Sequence, residues 1–340
     1  MTNIHDVAKL AQVSSMTVSR VINGNGYVKE QTKKRVLQAM KELNYVPNSL
    51  ARSLVRQKTQ TLALIVPDIR NPFFTTIARG TEDMARKQNY RVILGNTDEN
   101  VNKELEYIEM CLSIRVDGVI VVPAGNESKR NLKMLSEFKI PYVLVDREVA
   151  GIHSDVVRGD SVLGTKQLMD HLFNLGHQNI AIITGSLTTS TSRDRLLGYT
   201  QALKESGIEF RAEYVKEASY TKPLNNQVVH ELVSCTPRPT AIFTANNFVA
   251  AQTVKLLRQQ NFSVPEDVSI VSFDDFDQIS LAEPFLTVAT QPAYNFGSLA
   301  TQMLFEVIDG IPISGPRKII FQPEIIIRRS SGAARPISTP

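Results

Sequence analysis

Two groups of residues have types and spacings that could do chemistry. The first is Ser14, Ser15, Met16, Thr17, Ser19 and Arg20, a close run of hydroxyls, a thioether and one guanidinium. These side chains suit the reading of base edges: an arginine can hold guanine O6 and N7 together, and small or apolar groups sense shape and thymine methyls. The second group recurs at the ends of apolar runs: Asp68, Asn71, Asn96, Asp98, Asp146, Arg147, Gly185, Ser186, Asn246, Asn247, Asp274 and Asp275. Any one of these alone reads as a helix cap or turn former. Their recurrence suggests a ligand held by carboxylate, amide and guanidinium groups. With the aromatic pair Phe73 and Phe74, such a lining suits a polyhydroxylated small molecule.

Nothing in the chain is poised for catalysis. Gly159-Asp160-Ser161-Val162-Leu163-Gly164-Thr165-Lys166 nearly spells a phosphate-binding loop, but there Lys must precede Ser or Thr to serve phosphate and magnesium. There is no Gly-x-Ser-x-Gly elbow, and the five histidines (His5, His153, His171, His177, His230) lack metal-ligand spacing. Cys111 and Cys235 are solitary and read as buried thiols. No catalytic residue, metal or cofactor is expected.

The first group needs a helix to present it. Asn3 can cap a first helix with Asp6 in the capping-box position, and Val7, Ala8, Leu10 and Ala11 supply its apolar face. Ser14 caps a second helix, Val18, Val21 and Ile22 lie on one side of it, and Asn23-Gly24 ends it. A third helix over 30–43 turns Val36, Leu37, Met40 and Leu43 toward the first two, with Lys29 a weak cap. A helix-turn-helix of this kind places its second helix in a DNA major groove. Charge agrees: residues 1–60 hold ten Lys and Arg against three Asp and Glu, whereas the remaining 280 hold 28 against 31. After Pro47, a two-turn segment over 49–56 carries Leu50 and Leu54 beside Arg52 and Arg56. Too short to be stable alone, it reads as a hinge helix that forms in a minor groove.

The second group needs strand ends. From Thr61 onward, apolar runs over 62–66, 92–94, 119–122 and 142–145 alternate with helical stretches over 74–89, 103–114 and 129–138. A second series has runs at 156–157, 180–184, 214–216, 241–244 and 268–273, with helices over 165–175, 195–205, 227–233 and 249–260. The expected fold class is therefore α/β, with a small all-α headpiece and two doubly wound parallel-sheet lobes, and ligands beyond the carboxyl ends of the strands. The 340 residues are 42% hydrophobic and 21% charged, ordinary for a globular protein. No basic start precedes an apolar run and no segment reaches a membrane-spanning length, so neither a signal peptide nor a membrane partner is expected, and the location is cytoplasmic. A transport-binding protein with the same core fails on compartment and charge.

At this point Asp6-Val7-Ala8, Thr17-Val18-Ser19-Arg20-Val21-Ile22-Asn23, Leu43-Asn44-Tyr45-Val46-Pro47-Asn48, Ala51-Arg52-Ser53-Leu54, Val116-Asp117-Gly118, Gly176-His177, Phe273-Asp274-Asp275 and Gln291-Pro292 together resemble the LacI/GalR family of bacterial repressors. The resemblance spans about residues 3–330. It implies a nucleoid-associated homodimer on a palindromic double-stranded operator, with a periplasmic-binding-protein-like core whose chain crosses between the lobes three times. The implied domains are a headpiece (1–46), hinge helix and linker (47–60), first lobe (61–160 and 291–323) and second lobe (161–290 and 324–330); residues 331–340 are expected to be a disordered tail.

Ser15, Met16 and Arg20 match base-reading positions and Leu54 the intercalating leucine, so the candidate DNA contacts are Ser14, Ser15, Met16, Thr17, Arg20, Asn23, Ala51 and Leu54. The candidate effector contacts are Phe73, Phe74, Asp146, Arg147, Arg195, Asn246, Asp274 and Gln291. Two departures bear on the ligand: Asn247 replaces a usual Asp, and Ala293 replaces an aromatic pocket residue of the lactose repressor. The effector is expected to be a sugar, sugar acid or sugar phosphate, in a repressor of carbohydrate-utilisation genes. A rival is the catabolite-control type, whose corepressor is a phosphocarrier protein. Tyr294 fits that pattern, but Asn295, Gln302 and Glu306 replace the Asp, Arg and Lys that grip the partner.

Overall fold

A computed structural model describes residues 2–24, 26–46, 58–276 and 284–335. They belong to two compact units, Met1–Thr59 and Gln60–Pro340. In the first, α1 (Ile4–Leu10) begins with a complete capping box between Asn3 and Asp6, and α2 (Ser15–Asn23) is capped by Ser14 and ends at Gly24 with φ +66°. No side chain caps α3 (Glu30–Glu42). Val7, Ala8, Ala11, Val18, Val36 and Ala39 form the core. Two expected core residues face solvent instead, Leu10 at 46% exposed and Leu37 at 49%. On α3 the inward stripe is Val36, Ala39 and Met40 at helical spacing, which leaves Leu37 about 100° off it.

The second unit has two six-stranded sheets among the described residues. The first contains β1 (Thr61–Val66), β2 (Arg91–Asn96), β3 (Gly118–Val121), β4 (Tyr142–Val145), β5 (Asp155–Gly159) and β11 (Lys318–Phe321), in the order β11-β5-β4-β3-β1-β2. Its helices are α4 (Pro72–Lys87), α5 (Val101–Ile114), α6 (Ser128–Glu137) and α11 (Ala293–Ile308). The second contains β6 (Ile180–Thr184), β7 (Val215–Glu217), β8 (Ala241–Thr244), β9 (Ser269–Phe273), β10 (Thr287–Thr290) and β12 (Glu324–Ile326), in the order β12-β10-β9-β8-β6-β7. Its helices are α7 (Ser161–Asn174), α8 (Ser190–Glu205), α9 (Asn226–Val233) and α10 (Asn247–Gln259). Buried clusters line both faces of each sheet.

The parallel expectation holds for every strand pair except β10 with β12, which is antiparallel. Only residues 322–323 separate β11 in one sheet from β12 in the other. Helices begin earlier than their apolar spacing suggested, because Asn71, Asn100, Asp160, Asn225 and Asn246 cap them ahead of the first apolar residue.

The tail also differs from expectation. Ser330 is fully buried, and its hydroxyl donates to Ile270 O at 2.6 Å and accepts from Thr287 N at 2.8 Å. His171 Nε2 pairs with Ser331 Oγ at 2.9 Å, His177 Nε2 with Gly332 O at 3.0 Å, and Ala334 N donates to Leu175 O at 2.8 Å. Small polar residues looked unable to order themselves, yet here they satisfy buried backbone at the start of β9 and β10. Residues 336–340 lie outside the described residues. Cys111 is buried, but Cys235, expected to be buried, is only half-buried.

Candidate functional site

On the headpiece, the Ser14 cap exposes Met16 (64%) and Arg20 on one side of α2. Ser15 is half-buried and its hydroxyl pairs with His5 Nδ1 at 2.9 Å, while Thr17 Oγ1 pairs with Ser14 Oγ at 3.0 Å. Asn23 Nδ2 donates to Ser19 Oγ at 3.2 Å. Among the described members of the candidate set Ser14, Met16 and Arg20 are exposed, but Ser14 is committed as the cap and Ser15 is partly committed within the unit. Ala51 and Leu54, with the hinge over 47–57, lie outside the described residues.

The other site lies where strands of both sheets end. Asp146 follows β4 and Asp274 follows β9, both in left-handed backbone, with φ +65° and +62°. Their N–H groups make equivalent bonds: Asp146 N donates to Val157 O and Asp274 N to Ala289 O, each at 2.9 Å. A left-handed residue just past the strand turns the side chain out of the pleat. Aspartate tolerates that conformation better than most residues. The two carboxylates are thus delivered to one cavity from opposite lobes.

That cavity is tight, with only about 20 Å³ free for the centre of a water-sized sphere. Phe73, Phe74, Asp146, Arg147, Arg195, Asn246 and Asp274 all line it. Phe73 and Phe74 meet edge to face at 5.2 Å, and Phe73 backs onto Phe296 at 5.9 Å. Arg195, from α8, sits 4.0 Å over the Phe273 ring, donates to Ala245 O and lies 3.5 Å from Asp274 Oδ2. Arg147 pairs with Glu99 at 2.7 Å, lies 3.7 Å from Asp146 and donates to Pro123 O at 3.2 Å. Both guanidiniums are buried, and the Nε of each makes no hydrogen bond to protein, although Arg147 Nε lies 3.7 Å from Asp146 Oδ2. Two donors therefore remain for a guest.

Gln291 has a different position from the other candidates. Its Nε2 donates to Asp274 Oδ1 at 2.6 Å from the crossing between β10 and α11, and it lines the neighbouring groove with Ala293. It stands behind Asp274. Burial pushes the Asp274 carboxyl up to about 6; Arg195 and the Gln291 bond oppose the shift, and Asp146 adds to it. Asn246 caps α10 through a 2.8 Å bond from Val249 N.

Sequence reasoning missed Glu99, Thr191, Tyr220 and Phe248, which also line the cavity. Tyr220 comes from a polar loop after β7, and its hydroxyl accepts from Gly185 N at 3.1 Å. Gly185 is the one local hint, since a Cβ there would fall 2.2 Å from the tyrosine ring. With Phe248 and the Phe73–Phe74 pair, Tyr220 supplies the aromatic walls that Ala293 does not.

Two family models match the chain. Residues 3–48 match bacterial regulatory proteins of the lacI family, and residues 59–327 match the periplasmic binding proteins and sugar binding domain of the LacI family. Catabolite control protein A of Priestia megaterium is 35% identical over 94% of this chain and 98% of its own length. The ribose operon repressor of Bacillus subtilis is 35% identical over 92% and 94%. A solved complex of the transcriptional regulator CelR with cellobiose superposes with a TM-score of 0.73 at 28% identity, covering 97% of this chain and 100% of the other.

Proposed function

Since this chain belongs to the LacI family of bacterial regulatory proteins and is a DNA-binding transcriptional repressor, not an enzyme, we propose that it answers to an uncharged sugar or polyol held between its lobes. The observation that carries this reading is the charge of the cavity wall. Each buried guanidinium is already matched to a carboxylate, Arg147 to Glu99 and Arg195 to Asp274, and Asp146 adds a further negative charge. A phosphate or carboxylate would meet no spare cation there. Hydroxyls can donate to Asp146 and Asp274 and accept from the open Arg147 and Arg195 Nε–H groups, while Phe73, Phe74, Tyr220 or Phe248 covers an apolar sugar face.

The same charge argument disfavours a phosphorylated protein corepressor. On α11 the Tyr294 hydroxyl donates to Asp83 at 3.1 Å, and Glu306 accepts from Arg317. The protein works in the cytoplasm at the nucleoid as a homodimer. Its two headpieces read the half-sites of a palindromic operator through Met16 and Arg20, with Ser14, Ser15, Thr17 and Asn23 supporting them, and Ala51 and Leu54 act in the minor groove.

A thermal-shift screen against neutral pentoses, hexoses, disaccharides and polyols beside sugar acids and sugar phosphates tests the reading. A neutral compound should raise the melting temperature of the parent and not of Asp274→Ala, since a ligand bound only by the folded state stabilises it. Stabilisation by phosphorylated sugars alone would overturn it.

A further inference from the structure

Besides the crossings, the lobes are joined across the cleft by a pair of side-chain amides. Asn71 Nδ2 donates to Asn247 Oδ1 at 3.2 Å, and Asn247 Nδ2 donates back to Asn71 Oδ1 at 3.3 Å. Both residues are buried, at 4% and 0% exposed. Their orientations are set by backbone partners, which removes the usual ambiguity between amide nitrogen and oxygen. Asn71 Oδ1 caps α4 by accepting from Phe73 N at 3.0 Å, so its Nδ2 is the atom left to cross. Asn247 Oδ1 accepts from Phe248 N at 2.8 Å, and its Nδ2 also donates to Asp275 O at 3.0 Å.

The pair therefore ties the start of α4 in one lobe to the start of α10 in the other. Phe73 and Phe248, the residues whose N–H groups it holds, both line the cavity. In strand order β1 is three strands from β5, and β8 is two from β10, the strands that carry the crossings. At roughly 4.8 Å per strand, the pair stands on the order of 10–15 Å from the hinge, where a rotation of the lobes must separate it. The Arg158–Asp194 pair also joins the lobes, but Arg158 precedes the crossing at residues 159–160 by one residue and barely moves with opening. Further bonds across the lobes are more open to solvent or nearer the crossings: Asn126 N to Thr188 O at 3.1 Å, Arg193 to Asn126 Oδ1 at 3.3 Å and Arg70 to Thr221 O at 3.2 Å are exposed, and Glu148 N to Ser190 Oγ at 2.9 Å follows β4, one strand from β5.

We propose that the Asn71–Asn247 amide pair is an interlobe catch that holds the cleft shut without ligand and has to part before a ligand enters or leaves. It rests on the reading of the cleft as the effector site. Each position requires a group that donates and accepts at once. A carboxylate at 247 would set an acceptor against two others, Asn71 Oδ1 and the Asp275 carbonyl, so Asn247→Asp should release the catch. Asn71→Ser keeps a hydroxyl for the Phe73 N cap and removes the crossing amide.

The test is pulsed dipolar spectroscopy on the full-length chain without DNA or ligand. Spin labels are placed at Glu106→Cys and Lys204→Cys in a Cys235→Ser background and diluted with unlabelled chain, so that distances within one chain are read. The parent should give one short-distance population. Both catch variants should gain a longer-distance population, with the open-to-closed ratio raised about tenfold or more by loss of two buried hydrogen bonds. If Asn247→Asp fails to fold, Asn71→Ser decides alone. An unchanged distance distribution in the folded Asn71→Ser chain would overturn the proposal. No effector enters the measurement, so a wrong reading of the ligand and a wrong reading of the catch give separate results.

Discussion

Asp274 combines a polar role with an expensive position. It is buried, held by Gln291 at 2.6 Å, and only loosely compensated by Arg195 at 3.5 Å, and burial lifts its carboxyl to about 6. The folded chain therefore keeps this proton at pH values where the unfolded chain, near 3.8, has already lost it. The contribution of Asp274 to the stability of the ligand-free protein should fall as pH rises from about 4 to about 6 and then level, by up to about 3 kcal/mol. Asp274→Asn keeps an acceptor for Gln291 and tolerates the left-handed backbone. The parent-minus-variant difference in unfolding free energy across pH 4–8 should show that slope, and a flat difference would mean that Asp274 is ionised throughout.

At the scale of elements, the contact that sets the first lobe is the crossing of α4 and α11. A Cβ on Gly80 would fall 2.1 Å from Tyr294 O, and one on Gly297 would fall 2.0 Å from Ile77 O. Both obstacles are backbone, so no side chain can swing aside and the helices themselves must separate. Gly297→Ala should cost at least the ~1–3 kcal/mol of ordinary overpacking, a drop of several degrees in melting temperature. Because α11 follows directly from Gln291, the displacement should also loosen Asp274 and weaken effector binding. A variant with parental melting temperature would show that the crossing has slack.

For the whole molecule, charge divides the two binding tasks. Residues 1–60 carry the excess of cations and the cleft wall is matched or slightly negative. Operator affinity should therefore fall steeply with salt, by about a thousandfold between 50 and 200 mM for six phosphate contacts. Affinity for a neutral effector should stay nearly flat over the same range, because no counterions are released. Titrating both ligands at each salt concentration checks this, and a parallel loss of effector affinity would point to an anionic ligand.

Local features of this chain were legible without a structure. The capping box of Asn3 and Asp6, the Ser14 cap and the strand ends at Asp146, Asn246 and Asp274 depend on near neighbours and on the alternation of apolar residues, which sequence displays directly. The phase of α3 and the order in the tail did not follow from it. What tertiary structure decided is pairing over distance. Glu99 meets Arg147 across 48 positions, Gln291 meets Asp274 across 17, and Asn71 meets Asn247 across 176. The direction of β12 and the placement of Tyr220 against Gly185 belong with these. A side chain's type says which bonds it can make, but which partner reaches it depends on how two sheets built from distant segments bring their ends together.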